Sequence, residues 1–132
     1  MTIELYWLTL TLLMTALFWV PYVLNRLGVR GLFGALKLSD PTSTPHSEWA
    51  ERSIRAHNNA VENLVIYAPL VIIAHLTGVS TVLTIWAAQI YFFARLAHYF
   101  ITMAGIPVLR TLVFAVGFLC QLTFAGAVLG WI

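Results

Sequence analysis

Charge is what this sequence has least of. Seven Lys and Arg and five Asp and Glu make up 9% of its 132 residues, against 61% hydrophobic residues and a mean hydropathy of +0.88. A soluble domain usually carries about 25% charged residues, so this surface is excluded from water unless something apolar covers it. The same scarcity excludes nucleic acid as a partner, since no basic run interleaves with aromatics. The single cysteine, Cys120, has no partner for an internal disulfide, and the four His show no zinc or haem spacing with it. No metal is therefore expected. A G-x-S-x-G elbow and a P-loop are both missing. Met1 to Glu4 lack the basic start of a signal peptide, and no A-x-A-like site follows, so the first apolar segment is expected to stay on the protein.

What is there is apolar sequence in lengths that suit a bilayer. Four spans of about 20 residues need roughly 80, which leaves one long connection. The pattern predicts spans over 3–24, 48–76, 81–103 and 107–131. Trp7, Trp19 and Tyr22 mark the ends of the first, because amphipathic aromatics favour the interfaces. Pro21 is expected to kink its last turn. Val29 to Leu38 is mildly amphipathic and suits the membrane surface; Ser39 to Pro45 is loop chemistry. Ser47 is placed to cap the second helix, with Glu48 and Glu51 in its first turn. Gly78-Val79-Ser80 and Gly105-Ile106-Pro107 read as short turns, and Pro107 suits a first helical turn. Short turns imply antiparallel neighbours. The expected fold is all-α: one domain over 1–132, a membrane four-helix bundle running up-down-up-down.

Orientation follows from the basic residues. Arg26, Arg30, Lys37, Arg52, Arg55, Arg95 and Arg110 all fall toward one side of such a bundle. The positive-inside rule makes that side cytoplasmic and puts both termini on the other.

Intramembrane charge is costly and usually faces a bundle interior or a cavity. At helical spacing, Arg52, Arg55, Asn59, Glu62 and Asn63 form one polar stripe on the second helix, with His57 pointing away. Arg95, His98 and Thr102 share a face of the third helix; Arg110 and Thr111 stand at the start of the fourth. Three polar faces at one depth suggest one site. The plain alternative is that Arg55 with Glu62, or Glu62 with Arg95, pairs to hold helices together. Yet four arginines meet one deep carboxylate, and an anionic ligand accounts for that excess because Arg grips carboxylates bidentately.

The segment Glu51-Arg52-Ser53-Ile54-Arg55-Ala56-His57-Asn58-Asn59-Ala60-Val61-Glu62-Asn63 resembles the helix-2 signature E-R-x-x-R-A-x-x-N-x-x-E-N of the MAPEG family, the membrane-associated proteins in eicosanoid and glutathione metabolism. Ala94-Arg95-Leu96-Ala97-His98-Tyr99 resembles the family's helix-3 motif, and Gly105 to Leu112 its start of helix 4, especially in bacterial members. The resemblance covers nearly the whole chain. It implies four-helix protomers assembled as a homotrimer in a bacterial inner membrane, with glutathione held between neighbouring protomers at a site opening to the cytoplasm. It further implies that Arg110 stabilises the glutathione thiolate, assisted by Thr111, and that Arg52, Arg55, Asn59, Glu62, Arg95 and His98 bind the tripeptide. Where glutathione-using members commonly carry an aromatic hydroxyl one turn after the helix-3 His, this chain has Thr102. Phe114 stands where a second tyrosine is common, and Asn58 where an arginine often precedes the helix-2 Asn.

The function expected is thus a membrane-bound, glutathione-dependent transferase or peroxidase acting on hydrophobic electrophiles or lipid hydroperoxides. Its partners are membrane lipids and a hydrophobic small molecule. The alternatives are a non-catalytic lipid-binding protein of the same family, and an accessory subunit of a membrane complex.

Overall fold

The computed structural model describes residues 1–132 in full. It is all-α, with five helical segments: α1 (Ile3–Leu17), α2 (Val20–Leu36), α3 (Glu48–Leu76), α4 (Val82–Ala104) and α5 (Pro107–Val128). Three helical units are long and apolar enough to cross a membrane: Ile3–Leu36, Glu48–Leu76 and Pro107–Val128. The fourth long helix, α4, spans 23 residues but carries Gln89, Arg95 and His98.

Local chemistry sets the helix ends. Thr2 caps α1 by accepting from Leu5 N, as N-cap hydroxyls do. Thr81 and Thr84 form a reciprocal capping box at the start of α4. At its other end Gly105 takes a left-handed φ of 78°, and Gly105 N and Ile106 N close back onto Thr102 O and Ile101 O. Glycine tolerates that geometry best. Pro107 then opens α5 where its missing N–H costs nothing.

Two details depart from the sequence expectation. The first span is interrupted at Phe18 and Trp19, within three residues of Pro21, and helix then continues to Leu36 with a non-helical Gly31 at φ 71°. Helix thus covers much of what reads as connector. Ser47 sits at the N-cap position of α3 without a side-chain capping bond. It is instead latched to α2: Asn25 Nδ2 donates to Ser47 Oγ at 2.8 Å, and Ser47 N donates to Asn25 Oδ1 at 3.1 Å.

Helix α4 is central, packing on α1, α3 and α5, while α2 packs on α3. Small residues permit the close approach: Ala50, Ala56, Ala60 and Ala74 on α3, and Ala87, Ala88 and Ala94 on α4, are all buried. Such residues are enriched where membrane helices meet. The main core joins Leu8, Tyr67, Val71, Tyr91, Cys120 and Phe124, with Tyr67 and Tyr91 stacked at 3.6 Å between ring centroids. A smaller cluster of Phe18, Ala56, Ala60 and Tyr99 lies beside the α1–α2 break. Polar contacts fix which ends meet. Ser80, before α4, donates to the buried Glu4 at 3.0 Å. Arg52, in the second turn of α3, donates to Met103 O near the end of α4 at 2.8 Å.

Candidate functional site

The start of α3, the end of α4 and the start of α5 meet at one end of the bundle. They enclose a cavity of about 250 Å³ lined by Arg55, Asn59, His98, Thr102, Arg110, Thr111 and Phe114. A second hollow of about 130 Å³ adjoins it through the shared residues Arg55, Thr102 and Arg110, and adds Arg52 and the turn Gly105-Ile106-Pro107. The two make a trough with three guanidinium groups and no carboxylate on its walls.

The periodicity of each helix accounts for this convergence. Arg52, Arg55 and Asn59 are spaced i, i+3, i+7 on α3, and His98 and Thr102 i, i+4 on α4, so each set shares a face. The tight turn at Gly105 then returns the chain so that Arg110 and Thr111 open α5 across from them. Gly105 admits Arg52 closely: a Cβ there would lie 3.2 Å from Arg52 Nε.

Behind the cavity lies a buried polar chain. Arg95, only 3% exposed, donates from Nη2 to Asn59 Oδ1 at 2.7 Å. Asn63 Nδ2 donates to Asn59 O at 2.9 Å, and Gln121 Nε2 to Asn63 Oδ1 at 3.3 Å. Arg95 therefore orients Asn59 from behind rather than lining the cavity. Gln121 and this link across to α5 escape a one-helix-at-a-time reading of the sequence. A signal that could have found them is Gln121 itself, the one amide in the apolar run of α5.

Arg52 lines the adjoining hollow. Glu62 is exposed and lines neither part of the trough. His57 turns to α2, where its Nδ1 lies 2.8 Å from Tyr22 OH. Tyr99, adjacent to His98, points away from the cavity and bonds Ser53 and Phe18.

Pairing of charges for packing alone finds no support in this geometry. The one contact within 4 Å between a basic side chain and a carboxylate is His46 Nδ1 with Glu51 Oε1, at 3.1 Å; no arginine has a carboxylate within that distance. Two cavity groups are also buried without any hydrogen-bond partner, His98 Nδ1 and Thr102 Oγ1. Buried polar atoms nearly always have partners. Unpaired cations beside unsatisfied polar atoms are chemically suited to an anionic, hydrogen-bonding molecule.

No curated protein and no solved structure matches the chain. One family model does, over residues 5–130. That match takes in all five helices of the bundle, and the chain belongs to the MAPEG family, a family of membrane proteins associated with glutathione metabolism.

Proposed function

We propose that this protein is a membrane-bound glutathione transferase or peroxidase whose tripeptide site is the cationic trough between α3, α4 and α5. The observation that carries this reading is the set of arginines without carboxylate partners around a cavity with two unsatisfied polar atoms. Glutathione brings two carboxylates, and Arg52 and Arg55 are suited to hold them. Arg110 stands where a cation would favour thiolate over thiol, with the Thr111 hydroxyl next to it. The thiolate then attacks a hydrophobic electrophile and displaces its leaving group. With a lipid hydroperoxide it attacks the terminal oxygen instead, breaking the O–O bond and releasing the lipid alcohol; a second glutathione then displaces water from the resulting sulfenic acid to give the disulfide. An apolar groove of about 370 Å³ lies along the same two helices, α4 and α5, bounded by Trp86, Ile90, Phe93, Val113 and Val116; it suits a lipophilic co-substrate.

The architecture that goes with this reading is a single domain crossing the membrane four times, up-down-up-down, with α4 as the fourth crossing. The basic end faces the cytoplasm of a bacterial inner membrane, and three copies associate. In that trimer the exposed Glu62 finds a role as counterion to the ligand ammonium at the contact between protomers. The pairing of Glu4 with Ser80 at one end and Arg52 with Met103 at the other supports the alternation of helices.

Conjugation of glutathione to a hydrophobic electrophile by purified protein tests the proposal. Arg110→Ala lowers kcat by about 10²-fold or more if the guanidinium stabilises developing negative charge. Wild-type protein without turnover, or an unchanged rate in the variant, rejects the role.

A specific observation favours one second reading, a non-catalytic lipid-binding protein. No tyrosine hydroxyl reaches the cavity: Thr102 and Phe114 line it, and Tyr99 OH is engaged elsewhere. Thermal stabilisation by lipid with none by glutathione selects that reading.

A further inference from the structure

Between the first span and α3 the chain carries three cations, Arg26, Arg30 and Lys37, and one carboxylate, Asp40. None of the cations has an acidic partner within 4 Å. Two of them fold the segment. Arg26 donates to Lys37 O, and Arg30 donates to Thr44 O and, at 2.8 Å, to Ser39 Oγ. These bonds leave further guanidinium N–H donors free on each. Lys37 makes no side-chain hydrogen bond and is exposed. Asp40 is occupied by its own turn, accepting from Thr42 N at 2.8 Å and Thr42 Oγ1 at 2.6 Å; those bonds hold its carboxyl below the usual carboxylate range. A cavity of about 220 Å³ opens here, with Arg30, Lys37, Asp40, Thr42 and Ser43 on its walls.

Beside it the segment is apolar and uncovered. Phe33 is 82% exposed, Leu36 75% and Leu38 91%. Water does not suit such a run, and neither does the hydrocarbon centre, given the adjacent cations. The boundary between headgroups and acyl chains suits both, and α2 enters that region directly from the first span.

We propose that residues 26–44 form a recognition surface for anionic phospholipid. Arg30 and Lys37 take the headgroup phosphodiester at the connector cavity, the hydroxyls of Thr42 and Ser43 meet its polar substituent, and Phe33, Leu36 and Leu38 enter the acyl boundary. Net positive charge at this patch favours lipids of net negative charge over zwitterionic ones, whose ammonium groups it repels.

The test uses the full-length protein in mild detergent with equal amounts of phosphatidylglycerol and phosphatidylcholine, counting retained lipids by native mass spectrometry. Wild type retains phosphatidylglycerol preferentially. Lys37→Gln, which removes no intramolecular bond, lowers that preference by about fivefold, the factor expected for one cation near the surface. Phe33→Ser with Leu38→Ser lowers retention of both lipids alike. Arg55→Gln, in the trough, leaves the preference unchanged. Equal retention of the two lipids by wild type overturns the proposal, as does a preference lost in Arg55→Gln and kept in Lys37→Gln. Displacement of phosphatidylglycerol by excess inorganic phosphate also overturns it, because the patch would then be a small-anion site.

Discussion

The Tyr99 hydroxyl donates to the backbone carbonyl of Phe18 at 2.8 Å, and the two rings stack with centroids 4.0 Å apart. The carbonyl belongs to the break between α1 and α2, where helical hydrogen bonding is interrupted ahead of Pro21. Ser53 Oγ lies 2.7 Å from the same hydroxyl, so one tyrosine of α4 fastens both the broken first span and the start of α3. Tyr99→Phe keeps the stack and loses both hydrogen bonds, leaving the fully buried Ser53 without that partner. A loss of about 1–3 kcal/mol of stability is expected, read as a lower midpoint of thermal unfolding in detergent. Glutathione affinity of the folded protein should stay unchanged, because Tyr99 does not line the trough.

Asn59 is the hydrogen-bond acceptor for the buried Arg95 guanidinium. Asn59→Ala strands a buried cation, which costs on the order of 3 kcal/mol. Asn59→Asp keeps an acceptor there and pairs the cation, so it retains more stability than the alanine variant. The two should separate in binding. The aspartate adds negative charge to a cavity wall and weakens an anionic ligand by more than the loss of one neutral hydrogen bond would. Parallel thermal unfolding and glutathione titration of both variants check this. An aspartate variant that binds as well as wild type would show that the ligand does not sense that wall.

The all-helical fold was legible because its signals are local. Apolar runs of bilayer length, Pro107 at a first turn and Gly105 at a helix end each act over a few residues. The shared faces of α3 and α4 were legible for the same reason, since helical spacing alone puts Arg55 beside Asn59 and His98 beside Thr102. The kink expected at Pro21 appears as the break at Phe18 and Trp19; what the sequence hid is that the freed Phe18 carbonyl is satisfied by Tyr99, 81 residues away. The helix over the connector was legible only as the amphipathic run Val29 to Leu38; the bonds between Asn25 and Ser47 that tie it to the start of α3 were not. Glu62 shows the limit of a helical wheel. It falls within the polar arc of α3, yet it stands clear of the trough in the single chain, because a wheel gives direction but not where the neighbouring helices end.

Gly105 has two reasons to be glycine. Its φ of 78° strains any L side chain, and an added Cβ would stand 3.2 Å from Arg52 Nε. Gly105→Ala should cost about 1–2 kcal/mol through the left-handed backbone. The displaced guanidinium should also weaken anion binding at the adjoining hollow. Combining it with Arg52→Ala relieves the contact but leaves the backbone cost and also loses the bond to Met103 O, so it should recover neither the stability nor the binding. Unfolding midpoints and glutathione titrations of the three proteins separate the backbone effect from the charge effect.

Thr102 provides a test in which stability and binding move in opposite directions. Its hydroxyl is buried in the cavity wall with no partner in the protein. Burying a hydroxyl without a hydrogen bond costs roughly 1–3 kcal/mol, and Thr102→Val removes that cost while nearly conserving shape. The ligand-free variant should therefore unfold at a higher temperature than wild type, by an amount on the order of 1 kcal/mol. If the hydroxyl is kept to bond the ligand, the extra stabilisation that glutathione confers should shrink in the same variant. Thermal unfolding with and without glutathione measures both quantities on one sample. A valine variant that is less stable without ligand, and equally stabilised by it, would mean that Thr102 is bonded within the protein and that the cavity makes no use of its hydroxyl.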